Sequence, residues 1–201
     1  MRIEKIELFS FNELSEDAKE NARQKERKSG FEYEWWDSVY DCFIEVCSIL
    51  GFDVDSEDIS FSGFCSQGDG ASFTGSYSYR KGSLEKIRKH APMDKNLHDI
   101  ARTLQELQKR NFYQLSATID RSSSIYCHEN TIYCGNVDRD SHNYQSATSD
   151  SEDTLTQCAR SLCQWLYCKL ESEHDYLMSE EYIDESLKDP LYEFTIDGSL
   201  Y

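Results

Sequence analysis

Eight cysteines are the residues of this chain best suited to bind a metal or to act as nucleophiles. They are Cys42, Cys47, Cys65, Cys127, Cys134, Cys158, Cys163 and Cys168. The last three recur every five residues, a spacing that rotates successive side chains on a helix by about 140°, so they cannot share one ligand site there. No pair of histidines follows at zinc-finger spacing. We therefore expect reduced thiols that pack as small apolar residues, with no metal and no cofactor. A metal assembled from distant segments and a redox role are the alternatives.

The five histidines do not form a recognisable catalytic motif. They are His90, His98, His128, His142 and His174, and none falls in an H-E-x-x-H pattern. Cys127 and His128 are adjacent, so on a strand they point to opposite faces and cannot form a nucleophile–base pair. A pairing of His128 with Asp120 or Glu129 is the weaker alternative to a surface histidine. We therefore predict no catalytic residues and a protein that is not an enzyme.

Length, composition and charge set the class of protein. The chain has 201 residues, of which 38 are Asp or Glu and 21 are Lys or Arg, so its formal net charge is −17. Aromatic residues make up 13%, enough large rings to form a core. The acidic charge argues against direct binding to nucleic acid, which would repel it. No apolar run approaches the roughly 18 residues of a membrane helix, and the charged start, 1–5, is unlike a signal peptide. We expect an intracellular globular protein that binds no membrane.

Hydrophobic patterning predicts helices and strands that do not alternate regularly along the chain. The first predicted helix has its cap at Asn12 or Ser15 and runs to Arg27. Further helices are predicted over about 32–50, 95–110 and 152–170 or beyond, and strands over about 3–11, 59–64, 72–79, 113–120, 125–134 and 192–196. The polar stretch 138–150 is predicted to be a mobile loop. This pattern favours an α+β fold with a mostly antiparallel sheet and helices packed on one face. In the absence of a repeat or linker, we predict a single domain over residues 1–201.

A glycine-rich segment, residues 61–75, is the most distinctive part of the chain. It reads F-S-G-F-C-S-Q-G-D-G-A-S-F-T-G, and its centre predicts a hairpin turn. One interpretation is structural, with Gly63 and Gly75 making room for the rings of Phe64, Phe73 and Tyr77. The other is a ligand loop in which exposed amides cradle an anion. Its residues would be Ser66, Gln67, Gly68, Asp69 and Gly70.

The same segment resembles a family of small phage and prophage proteins whose function is unsettled. The blocks L-S-E-D-A at 14–18 and Y-E-W-W-D at 33–37 resemble that family too, with a weaker similarity at 193–198. The resemblance covers roughly residues 1–80. It implies a phage origin and residence in the host cytoplasm. It implies no particular chemistry, although it favours a role in host takeover or counter-defence.

Acidic residues are concentrated in two regions. Glu34, Asp37, Asp41 and Glu45 recur at spacings of three and four along the predicted second helix, and no Lys or Arg occurs between positions 31 and 50. Such neighbours lie about 5–6 Å apart and repel one another slightly, which suggests that the row has a use. The second region, 171–189, contains Glu180, Glu181, Asp184 and Glu185, whereas residues 81–110 are net basic. A solvated surface with weak local salt bridges is the simpler alternative.

These patterns lead to one predicted function and two alternatives. The first choice is a phage-encoded inhibitor of anti-CRISPR or antirestriction type. Its acidic residues would imitate nucleic acid and would occupy the basic groove of a host defence or nucleic-acid-binding protein complex. Trp35, expected to be exposed beside a core-facing Trp36, would anchor the contact. The alternatives are a protein that binds or sequesters a nucleotide with loop 66–70, and a structural or assembly protein. A homodimer, in which the basic stretch pairs with the acidic patch of a second copy, is a further alternative.

Overall fold

The computed structural model describes residues 5–31, 33–122, 126–141 and 145–201. The helices in this part of the chain are α1 (Glu16–Ser29), α2 (Asp37–Leu50), α3 (Ser83–His90), α4 (Lys95–Arg110), α5 (Ser151–Leu177) and α6 (Glu180–Leu187). The strands are β1 (Phe52–Asp53), β2 (Ile59–Phe61), β3 (Ala71–Phe73), β4 (Gly75–Ser78), β5 (Leu115–Arg121) and β6 (Ile132–Arg139).

Side-chain caps fix the beginnings of three helices. Ser15 Oγ accepts a hydrogen bond from the amide of Ala18, and Asp94 Oδ1 accepts one from the amide of Leu97. Ser179 caps α6 in the same way. Each cap satisfies an amide that has no partner within its helix. These local interactions explain why α1, α4 and α6 begin where they do.

The main sheet is antiparallel, with the strand order β1-β4-β5-β6, and β2 pairs with β3 in a separate two-stranded sheet. Along β5, Leu115, Ala117 and Ile119 are buried, whereas Ser116 between them is exposed. Helices cover the buried face: Gln108 of α4 bonds with the backbone of Leu115 in β5, and an α5 side chain accepts a hydrogen bond from β6. With 51% helix and 16% strand, the predicted α+β class is confirmed.

Gly75 marks the point at which the chain passes from the small sheet into the main one. Its φ is +153°, and a Cβ there would meet the carbonyl oxygen of Asp53 at 2.2 Å. A Cβ at Gly63 would meet nothing closer than Asp69 at 3.7 Å, an ordinary contact. The expectation that these glycines make room for aromatic rings is therefore wrong, because at Gly75 it is strand backbone that excludes a side chain.

The chain divides into two compact units. The first combines residues 1–35 with 172–201, and the second comprises residues 36–171. The core of the first unit contains Phe11, Leu14, Ala18, Ala22, Ile183, Leu187 and Phe194. Its two segments meet through an isolated bridge between Phe9 and Phe194, and Phe194 forms a second bridge with Leu200. That all 201 residues form a single domain stays a prediction.

Several predicted element bounds are wrong. Strands were predicted over 3–11 and 192–196. The described part of 3–11 and the segment 192–196 form only isolated bridges, through Phe9 and Phe194. Alternation of apolar and polar residues favours an extended segment, but a stable strand also needs a neighbouring strand with which to pair along its length. The second helix begins at Asp37, not at 32, because the Trp35 amide bonds to the Tyr33 carbonyl at 2.9 Å and closes a turn first. In the stretch 138–150, β6 continues to Arg139 and the amide of Thr148 bonds to Asn111 at 3.0 Å. Residues 142–144 lie outside the described part.

Candidate functional site

An acidic ridge runs along the exposed side of α2. We use this name for Asp37, Asp41 and Glu45, which are all exposed and are spaced four residues, or about 6 Å, apart along the helix axis. The opposite side of α2 is buried, through Val39, Tyr40, Phe43, Val46, Cys47 and Leu50. Burial of this apolar face leaves the ridge pointing to solvent. The predicted partition of this helix into an apolar and an acidic face is confirmed.

The acidic ridge has little neutralising charge around it. Within the described part of the chain, neither Asp37 nor Asp41 forms an ion pair, and Glu45 lies 3.4 Å from the Nδ1 of His90. Lys169 is a cation close to α2, near enough to influence the pKa of Cys42. Its ammonium lies over the Trp165 ring, 5.3 Å from the centroid, and within the described residues it forms no ion pair with the ridge.

Several acidic residues outside the ridge are neutralised locally. The pairs Glu16–Lys19, Glu85–Lys89, Asp99–Arg102 and Arg110–Asp150 all have nitrogen–oxygen distances of 3.0 Å or less. Asp37 and Asp41 form no such pair within the described residues, and they share one exposed face of α2 with Glu45.

Glu34 and Trp35 are not part of this ridge. Both precede α2 and belong to the first unit, where Glu34 is exposed. The side chain of Trp35 is only 8% exposed, with its ring 5.8 Å from that of Phe31 and 5.6 Å from that of His174. The expectation that Trp35 is exposed as an interface anchor is therefore wrong.

Trp36, expected in the core, is half-buried, with its ring 5.5 Å from that of Phe61. The turn at residues 33–36 explains both errors, because the exposures of the two tryptophans were predicted from a helix that does not extend so far.

The second predicted acidic region lies on α6 and is partly neutralised. Glu180, Glu181 and Glu185 are exposed. Asp184 accepts two hydrogen bonds from Arg23 of α1, from Nε at 2.5 Å and from Nη2 at 2.8 Å. The hydrogen bond with Arg23 is the main cause that holds the pKa of Asp184 below its usual value. Asp184 therefore joins α6 to α1, a role that sequence spacing did not indicate.

The loop between β2 and β3 is held by its own side chains. Asp69 Oδ2 accepts hydrogen bonds from the amides of Ser66 at 2.7 Å and Cys65 at 2.9 Å, and the Ser66 amide is the main cause that lowers the pKa of Asp69. A Cβ at Gly70 would meet the Cys127 carbonyl oxygen at 2.8 Å.

Ser66, Gln67 and Gly68 are exposed at the tip of this loop. The contacts of Asp69 and Gly70 thus support structural roles for these two residues, and a ligand role for the tip stays a prediction.

Four of the eight cysteines are buried, and His128 lies beside Glu129. Cys47, Cys134, Cys158 and Cys163 are buried, and all eight cysteines, which lie in the described part, are unbridged. Burial raises the pKa of Cys134 to about 11 and that of Cys158 to about 12, so these thiols are poor nucleophiles at neutral pH. His128 Nδ1 accepts a hydrogen bond from the amide of Asn130 and lies 3.1 Å from Glu129. Among the described residues, no cluster of three His, Cys, Asp or Glu could hold a metal ion.

Comparison with known proteins finds one family. A family model described as a domain of unknown function, DUF8835, matches residues 35–180. No curated protein and no solved structure matches the chain significantly. Among the described residues, no helix is both long and apolar enough to cross a membrane. Since the matched segment holds the acidic ridge, the glycine-rich loop and most of the chain, this protein belongs to the DUF8835 family.

Proposed function

We propose that this protein acts by stoichiometric binding, with the acidic ridge seated on a basic, nucleic-acid-binding surface of another protein. The observation that carries the proposal is the row of three exposed carboxylates on one face of α2, in which Asp37 and Asp41 form no ion pair within the described residues. A row of solvated carboxylates on a rigid helix presents charge at regular intervals, as a nucleic-acid backbone does. The binding would block the partner's access to nucleic acid and would require no turnover.

The net charge of −17 supports rapid association with a basic partner. Such a field speeds encounter and makes the association rate depend strongly on salt. Glu181 and Glu185 on α6 add exposed negative charge in the first unit. Following the resemblance to phage proteins, the partner would be a host defence complex in the host cytoplasm, and the protein an inhibitor of anti-CRISPR or antirestriction type.

The experiment compares three forms of the full chain as immobilised baits in a bacterial lysate, at low and at high salt. The ridge variant carries Asp37→Asn, Asp41→Asn and Glu45→Gln. The control variant carries Asp53→Asn, Asp55→Asn and Glu57→Gln, three exposed acidic residues of the same unit, so both variants lose the same charge. Bound proteins are identified by mass spectrometry and then challenged with duplex DNA as a competitor.

The proposal requires a nucleic-acid-binding protein that is retained by the wild-type and control chains at low salt. That protein must be lost with the ridge variant, released at high salt and displaced by DNA. Equal retention by the ridge and control variants would contradict a specific role for the acidic ridge. An empty wild-type column would contradict the proposed binding function as a whole.

A further inference from the structure

A pocket of about 690 Å³ opens in the first unit, outside the acidic ridge and the glycine-rich loop. It lies between the end of α1, residues 30, 31 and 33, α6 and the segment after α6. Its volume is within the range of sites that bind small organic molecules. Residues from both ends of the chain line it, so no local sequence motif could have indicated it.

The pocket combines an apolar floor with aromatic walls. Ile183, Leu187 and Phe194 are buried beneath it, and the rings of Phe31, Tyr33, Tyr182 and Tyr192 line it. Tyr33 and Tyr192 are 55% and 37% exposed. Rings left open to water in a concave surface gain from contact with a flat apolar ligand.

Contacts among the aromatic side chains hold these walls in place. The rings of Phe31 and Tyr33 are 6.0 Å apart, and those of Tyr176 and Tyr182 are 5.3 Å apart. The hydroxyls of Tyr33 and Tyr182 lie 3.5 Å apart, and this hydrogen bond is the main cause that raises the pKa of Tyr33 to about 12. The Tyr33 hydroxyl is therefore neutral at physiological pH and does not repel an anion.

The pocket also carries positive charge in a chain that is otherwise acidic. Among its described lining residues, Lys25 and Arg27 face a single carboxylate, Glu26. Arg27 already contacts Glu20 and the carbonyl oxygen of Met178. Lys25 Nζ donates a hydrogen bond to the Ser199 hydroxyl at 2.5 Å, and that hydroxyl donates to Asp197 Oδ2 at 2.8 Å. Lys25 is near enough to help lower the pKa of Asp197, but it forms no direct ion pair within the described residues. An ammonium has three donors, so Lys25 can donate to an anionic group as well.

We propose that this pocket binds a small aromatic anion, with its ring against Tyr33 and Tyr182 and its anionic group on Lys25. The apolar floor and the open rings select a flat aromatic body. Lys25, the lysine that lines the pocket, selects the negative charge. This site does not depend on the acidic ridge or on any protein partner, so its test is independent of the proposed function.

The test is a fluorescence titration of the full chain with 8-anilinonaphthalene-1-sulfonate, an aromatic anion. The Lys25→Gln variant removes the cation that the proposal uses, and the Lys28→Gln variant removes an exposed lysine of the same helix that does not line the pocket. We expect one saturable site per chain, an affinity about tenfold lower in Lys25→Gln because a charge-assisted hydrogen bond is lost, and no change in Lys28→Gln. Equal melting temperatures of the two variants would show that both are folded.

The neutral probe N-phenyl-1-naphthylamine separates charge recognition from apolar contact. Its affinity should be the same for the wild-type and Lys25→Gln chains, whereas a Tyr33→Ala variant should weaken both probes. The proposal is overturned if the anionic probe shows no saturable binding. It is also overturned if Lys25→Gln binds that probe as tightly as Lys28→Gln does, or if Tyr33→Ala leaves both affinities unchanged.

Discussion

The pairing of Arg23 with Asp184 predicts that Asp184→Asn destabilises the first unit. Arg23 has a side chain only 9% exposed and makes two charge-assisted hydrogen bonds to Asp184, which is 22% exposed. Removing one partner of a fully buried pair costs about 3–5 kcal/mol. Here Asp184 keeps some solvent, and Glu180 lies 3.3 Å from Arg23 as a partial replacement. We therefore expect the free energy of unfolding to fall by about 2 kcal/mol.

The assay is urea unfolding followed by far-UV circular dichroism, with Glu185→Gln as the matched control. Glu185 is exposed on the same helix, so its loss of charge should change stability by less than about 0.5 kcal/mol. The Arg23→Gln variant and the double variant complete a cycle that isolates the pair energy. If Asp184→Asn costs no more than Glu185→Gln, the pair does not join the two helices and the reasoning fails.

The same pair predicts a dependence on pH. Because Arg23 lowers the pKa of Asp184 in the folded protein, the stabilisation is fully present above the unfolded-state pKa of about 3.9. It is lost as the pH falls through the lower, folded-state pKa. The difference in stability between the wild type and Asp184→Asn should thus be constant near neutrality and should shrink in acid. A difference that grows in acid would contradict this sign.

Three further predictions concern local structure. Gly51→Ala should lower the free energy of unfolding by about 2 kcal/mol or more, because φ is +102° and a Cβ would meet a backbone oxygen at 2.2 Å. Gly82→Ala, at φ +76° with open space around the Cβ, should lower it by only about 1 kcal/mol. If thermal denaturation shows equal losses of stability for the two variants, the steric reason given for Gly51 is wrong. Asp69→Ala should speed amide hydrogen exchange at Ser66, which loses its acceptor, whereas Gln67→Ala should not, and unchanged exchange would contradict the loop contacts. A thiol reagent should label the exposed cysteines rapidly and the buried cysteines slowly. The exposed cysteines are Cys42, Cys65 and Cys168, and the buried ones are Cys47, Cys134, Cys158 and Cys163. Equal labelling rates for the two sets would contradict this burial pattern.

Strong amphipathic patterns predicted the elements that pack by one face. The helix expected over 95–110 has those bounds, and its Leu97, Ile100, Leu104 and Leu107 are buried as their spacing indicates. The acidic side of α2 was predictable for the same reason, since a helix that buries one stripe must expose the other. Helix propensity did not predict the turn that hides Trp35, because that turn depends on packing against other parts of the first unit.

The remaining features depend on contacts between residues distant in sequence. Arg23 and Asp184 are 161 positions apart, and nothing in their local surroundings indicates that they meet. The pocket around Lys25 arises in the same way, from α1 and the last part of the chain. Charge counting at positions 180–185 could not separate Asp184 from its exposed neighbours. Such pairings become visible only when the fold is known.

The division of the first unit between the two ends of the chain constrains the order of folding during synthesis. The second unit is continuous, residues 36–171, so it can fold once that segment has left the ribosome. Domains generally fold as units while the chain emerges. Phe11 and Ala18, by contrast, belong to a core that also requires Ile183, Leu187 and Phe194. Helix α1 must therefore wait, unpacked, until residues 183–194 have been synthesised, and a chain that stops before them would leave the apolar side of α1 open to chaperones and proteases.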